Sequence, residues 1–234
     1  MKKIAACSCS LPEDAKFALE REGYTVFSLP PHRFLQKTTA HHADMLFSVV
    51  DKTVFFDKIY FEDNEDLVRR IADAGGYEIT VVPPLGKKYP RDASLNVLVA
   101  EKFAVMNMKT ATLVLWEKIT SSGRRIVNVK QGYSACSCLY FKGLLVTADH
   151  GIARAAQDVC EVLEIGDGGV SLPPYNEGFI GGASGVDGDA VYFAGDLSLH
   201  PDGDCIASAI EGRGGRVVSL TDGPLFDVGG IKFI

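Results

Sequence analysis

Apolar residues in this chain come in short bursts, and the bursts recur in a constant order. His42 to Val50 and Thr53 to Phe56 are two apolar runs broken at Asp51-Lys52, which predicts a β-hairpin. Asn64-Glu65-Asp66 then leads into Leu67, Val68 and Ile71 at helical spacing, and Gly75-Gly76 stops the pattern, as in a capped helix. Tyr77 to Val82 reads as a strand, so the unit is ββαβ.

The same order returns along the chain. Ala93 to Ala100, Phe103 to Met108, a helix near Ala111 to Ser121 and a strand at Ile126 to Val129 form the second unit. Ala135 to Phe141, Leu144 to Thr147, a helix from Ile152 to Val162 and a strand from Val162 to Ile165 form the third. A glycine-rich strand near Ala183, then Ala190 to Phe193, a helix near Ile206 to Glu211 and Val217 to Leu220 form the fourth. The fifth is split between the two ends: Gly229 to Ile234, then Lys3 to Ala6, a helix from Pro12 to Glu22, and Tyr24 to Ser28.

The positions Asp44, Ser94, Cys136, Ser184 and Gly229 lie 50, 42, 48 and 45 residues apart, and counting across the join from Gly229 to Asp44 gives 49. A fixed period in this range marks a repeated supersecondary unit. One domain over 1–234 is therefore expected, with repeats at 42–82, 92–130, 134–166, 182–220, and 227–234 joined with 1–29. Pairing the two ends would close the ring and remove exposed sheet edges.

Composition narrows the function classes. A 25.2 kDa chain with 47% hydrophobic residues is an ordinary globular protein. Its net charge of −6, with cations scattered rather than striped, predicts no nucleic-acid footprint. No apolar run approaches the roughly 18 residues of a membrane span. Met1-Lys2-Lys3-Ile4-Ala5-Ala6-Cys7 carries too short an apolar stretch for export, so the six cysteines are expected as reduced thiols in the cytoplasm. The single-residue spacing in Cys7-Ser8-Cys9 and Cys136-Ser137-Cys138 does not suit zinc, and no metal or other cofactor is expected.

If the first strand of each unit lines the axis, alternation puts polar residues on one face. That face carries His42 and Asp44; Asp92, Ser94 and Asn96; Ser134, Cys136 and Cys138; Gly182 and Ser184; Asp227 and Gly229. Small residues leave room for a ligand, and carboxylates without matching cations suit a small cation. Asp44, Asp92, Ser94, Asn96, Ser184 and Asp227 are thus candidate binding residues. His42 is a candidate general acid/base, and Cys136 or Cys138 a candidate nucleophile. The glycine-rich 178–185 stretch lacks the strand, loop and helix of a phosphate site and is expected to be a tightly approached strand beside the funnel. Asp57, Asn107, Asp149, Asp196 and Ser8, at the ends of second strands, are expected to cap helices.

Five ββαβ units in a ring resemble the pentein fold, the five-bladed β/α propeller of the guanidino-group-modifying enzymes. Pro90-Arg91-Asp92 is similar to the segment whose carboxylate holds a guanidinium there. His42-Ala43-Asp44 resembles the His-x-Asp of the general acid/base, and Gly229-Gly230-Ile231-Lys232-Phe233-Ile234 resembles the terminal Gly-Gly-x-x-His-Cys segment. The resemblance implies an α/β fold and a hydrolase or amidinotransferase acting on C–N bonds of guanidino compounds. Phe233 stands where that family has its cysteine, so a second reading stays open: a non-catalytic binding protein, as the ribosome anti-association factor is on this fold. Neither reading fixes an oligomeric state.

Overall fold

The computed structural model describes residues 3–234; Met1 and Lys2, included above in the span 1–29 and in the N-terminal segment weighed for export, lie outside the described residues. Five three-stranded sheets share one topology, in which the first strand runs antiparallel to the middle strand and the third runs parallel to it. They comprise Phe47–Val50, Thr53–Asp57 and Glu78–Val82; Leu98–Val99, Phe103–Met106 and Arg125–Asn128; and Leu139–Phe141, Leu144–Thr147 and Glu161–Glu164. The other two are Ser184–Asp187, Ala190–Phe193 and Arg216–Ser219, and Lys232–Phe233, Lys3–Ser8 and Tyr24–Leu29.

A parallel pair needs a crossover, and a helix supplies it in every sheet: Glu65–Gly75, Leu113–Ser121, His150–Ala156, Gly203–Glu211 and Glu13–Arg21. Middle strands have a partner on each side, so they read as unbroken apolar runs and are buried along nearly their whole length. The two chain ends meet in the fifth sheet, where Ala5 pairs with Phe233 and Ala6 with Lys232.

Packing continues between sheets. One apolar cluster joins Ile4, Phe27 and Leu29 of the last sheet to Phe47, Val54 and Phe56 of the first and to Ala104 and Met106 of the second. Ion pairs stitch neighbouring units at their rims: Arg124 with Asp51, Arg125 with Asp158, Lys142 with Asp189, and Arg216 with Glu22. These pairs account for scattered cations that form no stripe. Among the described residues, no helix is long and apolar enough to cross a membrane.

Capping holds at three of the expected positions. Asp57 accepts from the Tyr60 N–H, Asp149 from the Ile152 N–H and Asp196 from the Ser198 N–H. Asp57 is held further by His32 Nε2 at 3.1 Å and the Leu85 N–H at 2.9 Å. Burial pushes its carboxyl up, but these hydrogen bonds outweigh burial and leave it below the usual carboxylate range. Asn107 and Ser8 instead brace turns ahead of their helices, accepting from the Lys109 and Ser10 N–H groups at 2.9 Å each.

Element boundaries also need correction. The first strands start later than the periodicity implies: Ala43–Leu46 is a one-turn helix, Arg91–Ala93 is a single 3₁₀ turn, and residues 134–137 form a turn before Leu139–Phe141. The third helix ends at Ala156, short of Val162. In addition, Val170–Ser171 and Leu225–Phe226 form a small parallel pair outside the five sheets.

Candidate active site at the turns before the first strands

Turns rather than strands carry the candidate side chains, and this changes which of them meet. In an extended strand Cys136 and Cys138 would share a face; with Cys136 in the 134–137 turn and Cys138 just after it, they diverge. Cys136 lines a cavity of about 230 Å³ with His42, Asp92, Tyr133, Phe179 and Asp227. Cys138 points away into a cluster with Leu145 and Ile152, and lines a second cavity with Ser184 and Lys232. Ser94 turns back to donate to the Arg91 carbonyl at 2.8 Å and does not line the first cavity.

At the floor of the first cavity the Cys136 thiol donates to Asp44 Oδ2 at 2.7 Å and accepts from Asn96 Nδ2 at 3.0 Å. Asn96 Oδ1 accepts the N–H groups of Ala135 and Cys136, at 2.8 and 3.2 Å. Asn96 is therefore spent on holding the cysteine turn. Asp44 is anchored by its own N–H to the Gly229 carbonyl at 3.0 Å, and lies behind the sulfur as seen from the cavity.

Burial sets the charges here. Asp44 is pushed up to about 7, by burial first and by the nearby Asp227 carboxyl second. Asp227 is raised by burial to about 6, although its two oxygens accept the Phe179 and Gly229 N–H groups, each at 2.9 Å. The Cys136 thiol lies well above its ordinary value, because burial and then the Asp44 carboxyl disfavour a thiolate. His42 is depressed by burial to about 3, so its contact with Asp227 at 3.6 Å joins a neutral imidazole to a carboxyl. Asp44, rather than His42, titrates near neutrality and can move a proton there.

Asp92 is the second buried carboxyl of the cavity. Tyr133 donates to its Oδ2 at 3.0 Å, while Oδ1 is buried without a partner. Burial raises this carboxyl too. Every charged side chain lining the cavity is acidic: Asp92, Asp227 and the rim residue Glu177. Among the described residues no group of three or more His, Cys, Asp or Glu side chains is arranged to hold a metal ion.

Two glycines make the arrangement possible. A Cβ on Gly229, whose φ is +75°, would sit 2.1 Å from the His42 Cβ, and one on Gly182 would sit 2.1 Å from Asp227 Oδ1. The 178–185 stretch is closely approached, but it is not a strand throughout: residues 180–183 form a turn and the strand begins at Ser184. Gly229→Ala should cost about 2–4 kcal/mol, from left-handed backbone strain plus overpacking. Urea denaturation reads this, and an unchanged midpoint would contradict the packing described.

Sequence reasoning missed Tyr133, Gln36, Tyr175, Leu172 and Phe179, which complete the cavity wall. They come from loops with no periodicity, and the only signal was Phe179 inside the glycine-rich stretch.

The fold has known relatives. DDAH from Pseudomonas aeruginosa, solved with citrulline, matches over 93% of this chain and 90% of its own, with 9% identity and a TM-score of 0.58. SxtG, an amidinotransferase of Microseira wollei in the saxitoxin biosynthetic pathway, matches over 92% and 87%, with 11% identity and a TM-score of 0.55. The agmatine deiminase of C. jejuni matches over 87% and 73%, with 9% identity and a TM-score of 0.50. At such identity the likeness is one of fold, and the fold is the pentein fold. No curated protein matches the sequence. A family described as a family of unknown function (DUF6873) matches residues 6–232, nearly the whole chain, and the protein belongs to it.

Proposed function

We propose that the cavity binds a small cation with a planar guanidinium or amidinium head, and that Cys136 attacks the central carbon of that head. The observation that carries this reading is the Cys136 thiol bonded to the Asp44 carboxyl at 2.7 Å, at the floor of a cavity whose charged lining is acidic throughout. A nucleophile within hydrogen-bond reach of a base is the arrangement covalent catalysis requires. The orphan Oδ1 of Asp92 is a buried acceptor that a guanidinium N–H would satisfy with a charge-assisted bond.

The resting thiol is protonated, and the negative surroundings that keep it so also attract the cation. A bound cation beside the sulfur favours the thiolate, and Asp44 takes the proton. The sulfur then forms a bond to the central carbon, a C–N bond breaks, and the amine leaves with the proton held by Asp44. Water then adds to the same carbon and gives a proton to Asp44. The S–C bond breaks to release a urea (an amide from an amidine), and Asp44 returns that proton to the sulfur. The water's other proton leaves with the released amine as its ammonium. A reducing compartment such as the cytoplasm suits this reading, because Cys136 must stay a free thiol.

The same reading takes the five sheets as blades of one closed ring with a five-fold repeat. Pairing of the chain ends and the apolar cluster that joins the last sheet to the first support it. A purely non-catalytic role gives the buried thiol–carboxyl pair no purpose.

Calorimetric titration with methylguanidine tests the binding half. Asp92→Asn should weaken binding roughly 10- to 100-fold, the cost of losing a hydrogen bond to a charged group. Binding that is absent in the native protein, or equal in the variant, would overturn the assignment.

A further inference from the structure

The walls above the acidic floor carry information about the rest of the ligand. Their apolar part is made by Met45, Leu172, Phe179 and the rings of Tyr133 and Tyr175, and Gln36 and Thr39 are the uncharged polar members. Both tyrosine hydroxyls are already committed within the protein: Tyr133 donates to Asp92 Oδ2 at 3.0 Å and Tyr175 to Gln36 Oε1 at 2.6 Å. What these residues leave for a ligand is ring carbon. No lysine or arginine lines the cavity among the described residues, and the one basic side chain in its wall, His42, is neutral near pH 7.

A ligand carrying a carboxylate would therefore add a further carboxylate to a space that already holds Asp92 and Asp227, with no cation to receive it. An ammonium at the far end would reach only Glu177, which is exposed at the rim, where a pair with a solvated charge contributes little. An apolar tail instead covers apolar wall. The volume, about 230 Å³, is below that of a drug-sized site, so the tail is short.

Resting on the guanidinium reading above, we propose that the substrate is a small alkyl- or aralkylguanidine or amidine, with no carboxylate and no second charged end. Tyr133 and Tyr175 act as specificity-determining residues: each hydroxyl is tied off so that the ring faces the tail. The site thus discriminates against amino-acid guanidines by charge and favours simple N-alkylated ones by burial.

The test compares methylguanidine, butylguanidine, agmatine and 4-guanidinobutanoate by calorimetry on the full chain. Affinity should climb roughly three- to fourfold per methylene from methyl- to butylguanidine, as expected for burial of CH₂ groups. 4-Guanidinobutanoate should bind at least about tenfold more weakly than butylguanidine, in line with an unpaired charge brought into the site. Tyr175→Ala, at a half-exposed rim position, should flatten the chain-length series, so that the gain from methyl- to butylguanidine largely disappears. Equal or tighter binding of the carboxylate or of agmatine would overturn the tail assignment while leaving the guanidinium reading intact. Failure of all four to bind would remove that reading and, with it, this one.

Discussion

Cys136→Ser is expected to lose covalent labelling by 2-chloroacetamidine at this position and to reduce any turnover of guanidinium compounds by about a thousandfold or more. The discriminating measurement sets this cationic reagent against neutral chloroacetamide in the native protein. Cys136 is buried and its thiol is held protonated by burial and by Asp44, so a neutral reagent should react slowly. The amidinium is drawn to the acidic floor and favours the thiolate once there. Cys9 and Cys205 are exposed and serve as internal references for intrinsic reactivity. Normalised to them, Cys136 should prefer the amidinium reagent by about tenfold or more, as one stabilising charge contact of about 1.4 kcal/mol gives. Peptide mapping by mass spectrometry reads the ratio. No preference at Cys136 would mean that the acidic lining does not act on the sulfur.

A stability change of comparable size is expected at Asp44. Its carboxyl titrates near 4 in an unfolded chain and at about 7 in the folded protein, because burial and then Asp227 oppose the charge. Below about pH 4 both states are protonated and the folded state bears no penalty. Between about pH 4 and 7 the unfolded chain ionises while the folded one does not, so stability falls as pH rises and the loss is complete above 7. Asp227, raised to about 6, adds a loss of the same sign that ends sooner. Asp44→Asn keeps an acceptor for the Cys136 thiol and removes the titration. The variant should be more stable than the native protein at pH 8, by several kcal/mol, since each tenfold change in proton affinity on folding corresponds to about 1.4 kcal/mol. At pH 4 the two should be nearly equal. Thermal unfolding across that range measures both. A less stable variant at pH 8 would show that the Asp44 charge is compensated in the fold. The same substitution removes the proposed base, so greater stability and lost labelling by the cationic reagent should occur together, a trade-off expected of a catalytic carboxyl.

Much of the architecture was legible along the chain because it is local. Middle strands such as Leu144–Thr147 and Ala190–Phe193 are sandwiched on both sides and show as unbroken apolar runs. The Gly75-Gly76 stop is visible because Gly76 takes the left-handed cap, with φ at 61°. The split fifth unit could be found because the period continues across the join. The clustering of some candidates was legible too: Asp92, Cys136 and Asp227 line one cavity, and Asp44 touches Cys136 there.

Their roles were not legible, because roles depend on direction and desolvation. A polar residue just before a short strand looks the same whether the strand begins there or two residues later. That displacement turns Cys138 into a wall residue, Ser94 into a turn brace and Asn96 into the clamp on Cys136. His42 beside Asp44 reads as an acid/base pair in one dimension. Burial in three dimensions makes the histidine neutral and hands the titration near pH 7 to the aspartate. Local patterning along the chain was enough for the ββαβ unit, the meeting of the chain ends and the acidic character of the site. Which sulfur meets which carboxyl, and which rings close the wall, came from long-range packing. Those contacts span 92, 41 and 139 residues of chain, and no local pattern records them.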